Sequence, residues 1–254
     1  MSLLTLKITN GQVDMGMFEG EELLARWAGS SGPSLMTDEA AQAIDAFLSL
    51  RDLLDPDDAI LCSVVPSATY AWEQAVWTLT GKRPLVVGPG LKSGIAVKYK
   101  DPGQVGSDRV CNALAAREIY GAPCIVADFG SATNLVVVDE KGAFAGGAIA
   151  AGLGASMEAL NIAAAQLPGA SIRIPQQVIA RSTAESVQVG VVLGEAKRLD
   201  GLVEAMWHEL GYRTRLVATG RFSHIVCAES CHEFTLDDSL TLKGLRLIYQ
   251  LNRR

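Results

Sequence analysis

Apolar and polar positions at the start of the chain are arranged as short strands separated by polar turns. Leu3 to Ile8 is an apolar run, Thr9-Asn10-Gly11 a polar turn, and Gln12 to Phe18 a second strand. After Glu19-Gly20 a third extended run covers Leu23 to Trp27. The same order returns later in the chain. Ile125 to Phe129, the turn Gly130-Ser131, Asn134 to Val138, the turn Glu140-Lys141-Gly142 and Ala143 to Ile149 read as a second three-strand meander.

Helical periodicity follows each meander. Thr37 is placed to cap a helix over Asp38 to Leu53, with Asp38 and Glu39 favourable in its first turn. Ala59 to Val65 reads as a strand, Ser67 to Leu79 as an amphipathic helix stopped by Gly81, and Pro84 to Val87 as a strand. In the second half, Thr183 to Leu210 reads as one long helix or two, and Arg215 to Ala218 as a strand. Ser239 to Arg254 is a closing helix carrying Leu240, Leu242, Leu245, Leu247 and Leu251.

Two successive meander-then-helix patterns predict an α/β fold of two duplicated domains meeting face to face, with ligands in the cleft between them. Gly and Pro interrupt the apolar runs at Tyr120-Gly121-Ala122-Pro123, so the expected domains are residues 1–120 and 121–254.

Composition narrows the function classes. About half of the 254 residues are apolar and 20% are charged, a well-cored globular balance. The net charge of −6 and the lack of a basic patch disfavour nucleic-acid binding. There is no secretory signal and no apolar run of about 18 residues, so the expectation is a cytoplasmic protein that does not cross a membrane. Five scattered cysteines read as reduced thiols packed as small hydrophobes. Cys227-x-x-x-Cys231-His232 lacks the second ligand pair that a sequence-evident metal site shows.

Candidate chemistry lies in the turns. Asp128-Phe129-Gly130-Ser131-Ala132-Thr133 places a carboxylate at a strand end before a turn of small residues. That layout suits an anion and its cation, and equally an ordinary hairpin. Asp108, in Gly106-Ser107-Asp108-Arg109, stands near a helix start. It reads as a first-turn residue favoured by the helix dipole, or as a general base with Arg109 available to a carboxylate or phosphate. No Walker-type loop occurs, since Thr80-Gly81-Lys82-Arg83 lacks the hydroxyl, and no Gly-x-Gly-x-x-Gly opens a helix.

Taken together and in this order, several segments resemble the type III pantothenate kinase family. They are Ser63-Val64-Val65-Pro66, Val86-Val87-Gly88-Pro89-Gly90, Gly106-Ser107-Asp108-Arg109, Asp128-Phe129-Gly130-Ser131-Ala132-Thr133, Gly146-Gly147-Ala148-Ile149, Thr183-Ala184-Glu185, Ala218-Thr219-Gly220 and Leu242-Lys243-Gly244-Leu245. The resemblance implies two RNase-H-like domains of the actin-like ATPase superfamily. It also implies a dimer, and phosphorylation of pantothenate by ATP toward coenzyme A with Mg²⁺ and a monovalent cation (K⁺ or NH₄⁺). By resemblance, Asp108 matches the catalytic base, with Gly106, Ser107 and Arg109 matching the pantothenate loop around it. Tyr99 and Thr183 match further pantothenate contacts, Thr183 from the neighbouring subunit. Asp128 matches the monovalent-cation ligand, and Ser131 and Gly220 match ATP contacts.

The first loop departs from that pattern. The family's loop reads Asp-x-Gly-Asn-Thr and grips ATP phosphates and Mg²⁺, whereas here Lys7, Thr9 and Gly11 replace its Asp, Gly and Thr, and Asn10 alone matches. At ~4 Å and an effective dielectric of ~20, a unit-charge interaction is worth roughly 4 kcal/mol, and a lysine turns this from attraction to repulsion toward a metal. The Lys7 ammonium is expected to take the metal's place between Asp108 and Asp128, or else to bind phosphate directly. Arg221 and Ala151 likewise replace a Gly and a Pro of the family. The reading is therefore a type III pantothenate kinase-like protein with impaired stand-alone catalysis. The alternatives are a non-catalytic paralogue acting as partner subunit of an intact kinase, as homodimer or heteromer, and a ligand-sensing regulator.

Overall fold

The computed structural model describes residues 1–32, 34–163 and 171–253. Two compact units divide the chain, one of residues 1–118 with 239–254 and the other of residues 119–238.

The first unit is built on strands β1 (Ser2–Ile8), β2 (Gln12–Glu19), β3 (Glu22–Ser30), β4 (Asp58–Ser63) and β5 (Leu85–Val86), in the sheet order β3-β2-β1-β4-β5. β1 runs antiparallel to β2 and parallel to β4. Because side chains alternate along a strand, β1 has two faces. Leu4, Leu6 and Ile8 enter a core with Val13, Met15, Leu61 and side chains of helices α1 (Thr37–Leu50) and α2 (Pro66–Thr80), among them Ile44, Phe47 and Trp72. The opposite face carries Leu3, Thr5 and Lys7, which pair across the ladder with Phe18, Gly16 and Asp14. There the helix α8 (Leu240–Asn252) packs on β1, with Leu242 against Gly16. Thr241 Oγ1 donates to Asn112 Oδ1 at 2.6 Å, which fixes α8 to helix α3 (Ser107–Tyr120). The closing helix, assigned from sequence to the second domain, thus clusters with the first unit.

The second unit repeats the plan. Its strands are β6 (Cys124–Phe129), β7 (Ala132–Val138), β8 (Phe144–Ala151), β9 (Arg215–Thr219) and β10 (Thr235–Leu236), ordered β10-β9-β6-β7-β8. β6 pairs antiparallel with β7 and parallel with β9, as β1 does with β2 and β4. Its core joins Ile125, Ala127, Phe129, Leu135 and Val137 to helices α4 (Leu153–Ala163), α6 (Gly194–Leu210) and α7 (Ser223–Cys227).

Local details differ from the sequence reading for physical reasons. Thr37 is the first helical residue rather than the cap. Met36 takes the cap position, and its backbone N–H donates to Glu39 Oε2 at 2.9 Å. α1 ends at Leu50 rather than Leu53, because the backbone reverses at Asp52 with φ of 51° and the Leu53 N–H turns back to the Leu48 carbonyl. The stretch from Thr183 to Leu210 is two helices, α5 (Thr183–Gln188) and α6, joined by a π-helical turn over Val189–Leu193. No helix among the described residues is long and apolar enough to cross a membrane.

Candidate active site

In the first unit, Lys7 is buried, 7% exposed, because its strand position places it on the face of β1 that α8 covers rather than at the turn. Its register neighbours are Asp14 on β2 and Cys62 on β4, and on a pleated sheet such directly opposed side chains share a face. Asp14, which the sequence reading passed over, is 9% exposed and accepts from Gln12 Nε2 at 3.0 Å and Arg26 at 3.4 Å.

Asp108 joins this cluster from the first turn of α3. It is 9% exposed, and its Oδ1 accepts the Arg109 backbone N–H at 2.8 Å. A Cβ on Gly106 would stand 2.7 Å from that oxygen, so a side chain there would push the carboxylate from its present place. The Cys62 thiol reports the surrounding charges. Its hydrogen bond with Cys111 and full burial push its pKa well up, the Asp108 carboxylate pushes it further, and the Lys7 ammonium pulls it down. Lys7 and Asp108 therefore both lie within electrostatic reach of one buried sulfur. Arg109 is 5% exposed, with its guanidinium carbon 5.8 Å from the centre of the half-buried Tyr99 ring, a cation–π arrangement. Ser107 Oγ donates to the Ser63 carbonyl at 3.3 Å, tying the loop to the end of β4.

The β1–β2 turn is closed on itself. Both the backbone N–H and the hydroxyl of Thr9 donate to the Gln12 carbonyl, at 2.8 and 2.9 Å. Asn10 and Gly11 are exposed, and no atom lies within 4 Å of a Cβ built on Gly11.

In the second unit, Asp128 is the penultimate residue of β6, 3% exposed and paired in register with Asn134 and Thr219. Gly220 follows β9 with φ of +93°. A Cβ there would lie 2.6 Å from Asp128 Oδ1 and 2.7 Å from the Phe129 backbone. Glycine is required at this point both for conformation and for space. Ser131 is exposed in the β6–β7 turn, where the Gly130 N–H donates to the Ala132 carbonyl at 3.1 Å. Arg221 is exposed and stacks on the Phe222 ring at 5.4 Å, so its side chain lies along a neighbour. Thr183 is exposed at the first position of α5, behind the Ser182 cap whose hydroxyl accepts the Glu185 N–H at 3.3 Å.

The sequence also passed over Glu195 on α6, 5% exposed. Burial pushes its carboxyl up, while the Thr133 hydroxyl and Arg198 hold it down. The first unit thus gathers Lys7, Asp14, Cys62, Asp108, Arg109 and Tyr99, and the second gathers Asp128, Gly220 and the β6–β7 turn.

A sheet of order 3-2-1-4-5 that recurs in both units defines a two-domain α/β fold built on one duplicated plan. Solved structures agree on the fold. The (R)-2-hydroxyglutaryl-CoA dehydratase component A of Acidaminococcus fermentans matches with a TM-score of 0.57 at 14% identity, covering 96% of this chain and 95% of its own. The Clostridium difficile activator of 2-hydroxyisocaproyl-CoA dehydratase, with bound ADPNP, matches at 0.58 and 12% identity, covering 96% and 91%. The family model for type III pantothenate kinase matches residues 3–205. The type III pantothenate kinase of Brevibacillus brevis is 38% identical over 253 residues, covering 99% of both chains. That of Dehalococcoides mccartyi is 39% identical over 254 residues, covering 99% of this chain and 98% of its own. The chain belongs to the type III pantothenate kinase family.

Proposed function

We propose that the chain is a type III pantothenate kinase-like protein that binds pantothenate and whose ATP-dependent phosphoryl transfer is impaired when it acts alone. Support for the substrate comes from end-to-end relatives that carry this name. In this reading Asp108 is the base that takes the proton of the pantothenate hydroxyl, and Arg109 offers its guanidinium to a carboxylate. Gly106 and Ser107 shape the loop around them. Tyr99 and Thr183 supply further contacts, Thr183 from the second copy in a dimer. Asn10, Ser131 and Gly220 approach the nucleotide.

The cations divide. A buried oxygen donor in a glycine-walled recess suits K⁺ or NH₄⁺ at Asp128. The first hairpin does not suit Mg²⁺, because strand β1 presents the buried Lys7 ammonium where the family has a carboxylate, and an ammonium has no lone pair to give. The observation that carries the proposal is that Lys7 is buried opposite Asp14 and acts on the same sulfur as Asp108.

Separate calorimetric titrations test this. Pantothenate binds, Mg-ATP does not bind with micromolar affinity, and the pure protein releases no pantothenate-dependent ADP. Micromolar Mg-ATP binding overturns it. A second reading, partner subunit of an intact kinase, draws on the retention of Asp108, Arg109 and Tyr99 beside an altered turn. Activity that emerges only on mixing with an intact paralogue selects it, and ligand binding without turnover in either assay selects a regulator.

A further inference from the structure

We propose that Asp200, Cys231 and His232 form a binding site for a divalent transition-metal ion of the zinc class. The ligand atoms of these three side chains all lie within 4.8 Å of one another. Asp200 projects from α6, and the other two follow α7 in the loop that leads to β10. Hydrogen bonds hold the loop against the helix. Ser230 Oγ donates to Asp200 Oδ1 at 2.6 Å, the Cys231 N–H donates to the same carboxylate at 3.2 Å, and the His232 N–H donates to Ser230 Oγ at 3.0 Å.

A hydrogen bond from the Cys231 thiol to Asp200 adds to these, and together they account for the loop's position but not for the imidazole that joins the thiol and carboxylate. The His232 side chain is only 12% exposed, packs edge-on to Trp207 at 5.0 Å, and has its buried Nε2 3.3 Å from Glu204 Oε1. A carboxylate beside the imidazole is the arrangement that orients metal-binding histidines. One sulfur, one nitrogen and one oxygen donor favour zinc-class ions over Mg²⁺ or Ca²⁺, which take oxygen ligands. Three protein ligands leave a fourth position for water. A cavity of about 610 Å³ bordered by Trp207, Arg213, Thr214, Cys231 and His232 gives access.

The competing cation is Lys197, whose Nζ lies 3.3 Å from Asp200 Oδ2. Its side chain is 66% exposed, so this is a weak surface pair that a divalent ion displaces into solvent. On coordination the Cys231 S–H bond breaks, its proton leaves to solvent, and the sulfur lone pair forms the bond to the metal.

The test is titration of the reduced, tag-free full chain with Co²⁺, a spectroscopic stand-in for Zn²⁺. One equivalent gives thiolate-to-cobalt charge-transfer absorption that added Zn²⁺ removes. Cys231→Ser abolishes the band, Cys227→Ser leaves it, and Glu204→Gln weakens Co²⁺ binding by about tenfold. His232→Ala repeats the loss of tight binding from a second ligand, with circular dichroism checking that the fold is kept. Absence of near-stoichiometric binding, or a band that survives Cys231→Ser, overturns the proposal.

Discussion

Lys7 and Asp14 face each other as a directly opposed pair across the β1–β2 ladder, each less than a tenth exposed. Buried opposite charges of this kind are costly to separate but not to replace together. That asymmetry governs what substitutions at the first hairpin should do.

Lys7→Met removes the positive charge and leaves the Asp14 and Asp108 carboxylates without it. Loss of one partner from a buried charge group costs about 3 kcal/mol, so the urea midpoint falls with little change in slope. Lys7→Met combined with Asp14→Leu recovers part of that loss.

Restoring the family's turn gives a different signature. Lys7→Asp with Thr9→Gly and Gly11→Thr puts a third carboxylate beside Asp14 and Asp108. Threonine fits at position 11, where a Cβ meets nothing within 4 Å. The triple variant melts below wild type without divalent cation and regains stability with Mg-ATP, while ATP affinity measured by calorimetry rises. Unchanged ATP affinity places the defect elsewhere than this turn.

Gly220→Ala tests the recess at Asp128. The new Cβ meets Asp128 Oδ1 at 2.6 Å in a left-handed backbone, so stability drops by about 1–3 kcal/mol. K⁺-dependent stabilisation, read as the change in Tm between K⁺ and Na⁺ buffers, is lost with it.

The first unit also carries an alkaline limit. Burial and the hydrogen bond to Asp58 push the Tyr249 phenol up to about 12 from an ordinary 10. The folded state holds its proton more tightly than the unfolded chain, so this contribution is complete below pH 10 and lost as pH rises toward 12. Tyr249→Phe flattens the decline of the unfolding midpoint across that window.

The sequence by itself determined the repeated meander, the placement of Asp108 at a helix start and of Asp128 at a strand end, and the presence of Lys7 within β1. Those follow from the period of two along strands, from turn residues, and from resemblance over nearly the whole chain. Such signals are local, and each says which face of an element is buried without saying what covers it. The apolar stripe of α8 announced a buried helix, yet only the tertiary structure put Leu242 against Gly16 and so returned the last helix to the first unit. Register decided that Asp14 stands opposite Lys7, and packing brought Asp108 and Cys111 to Cys62. Asp200 likewise reached Cys231 and His232 from a helix some thirty residues earlier, a meeting that depends on how far the chain travels before it returns and not on the residues in between.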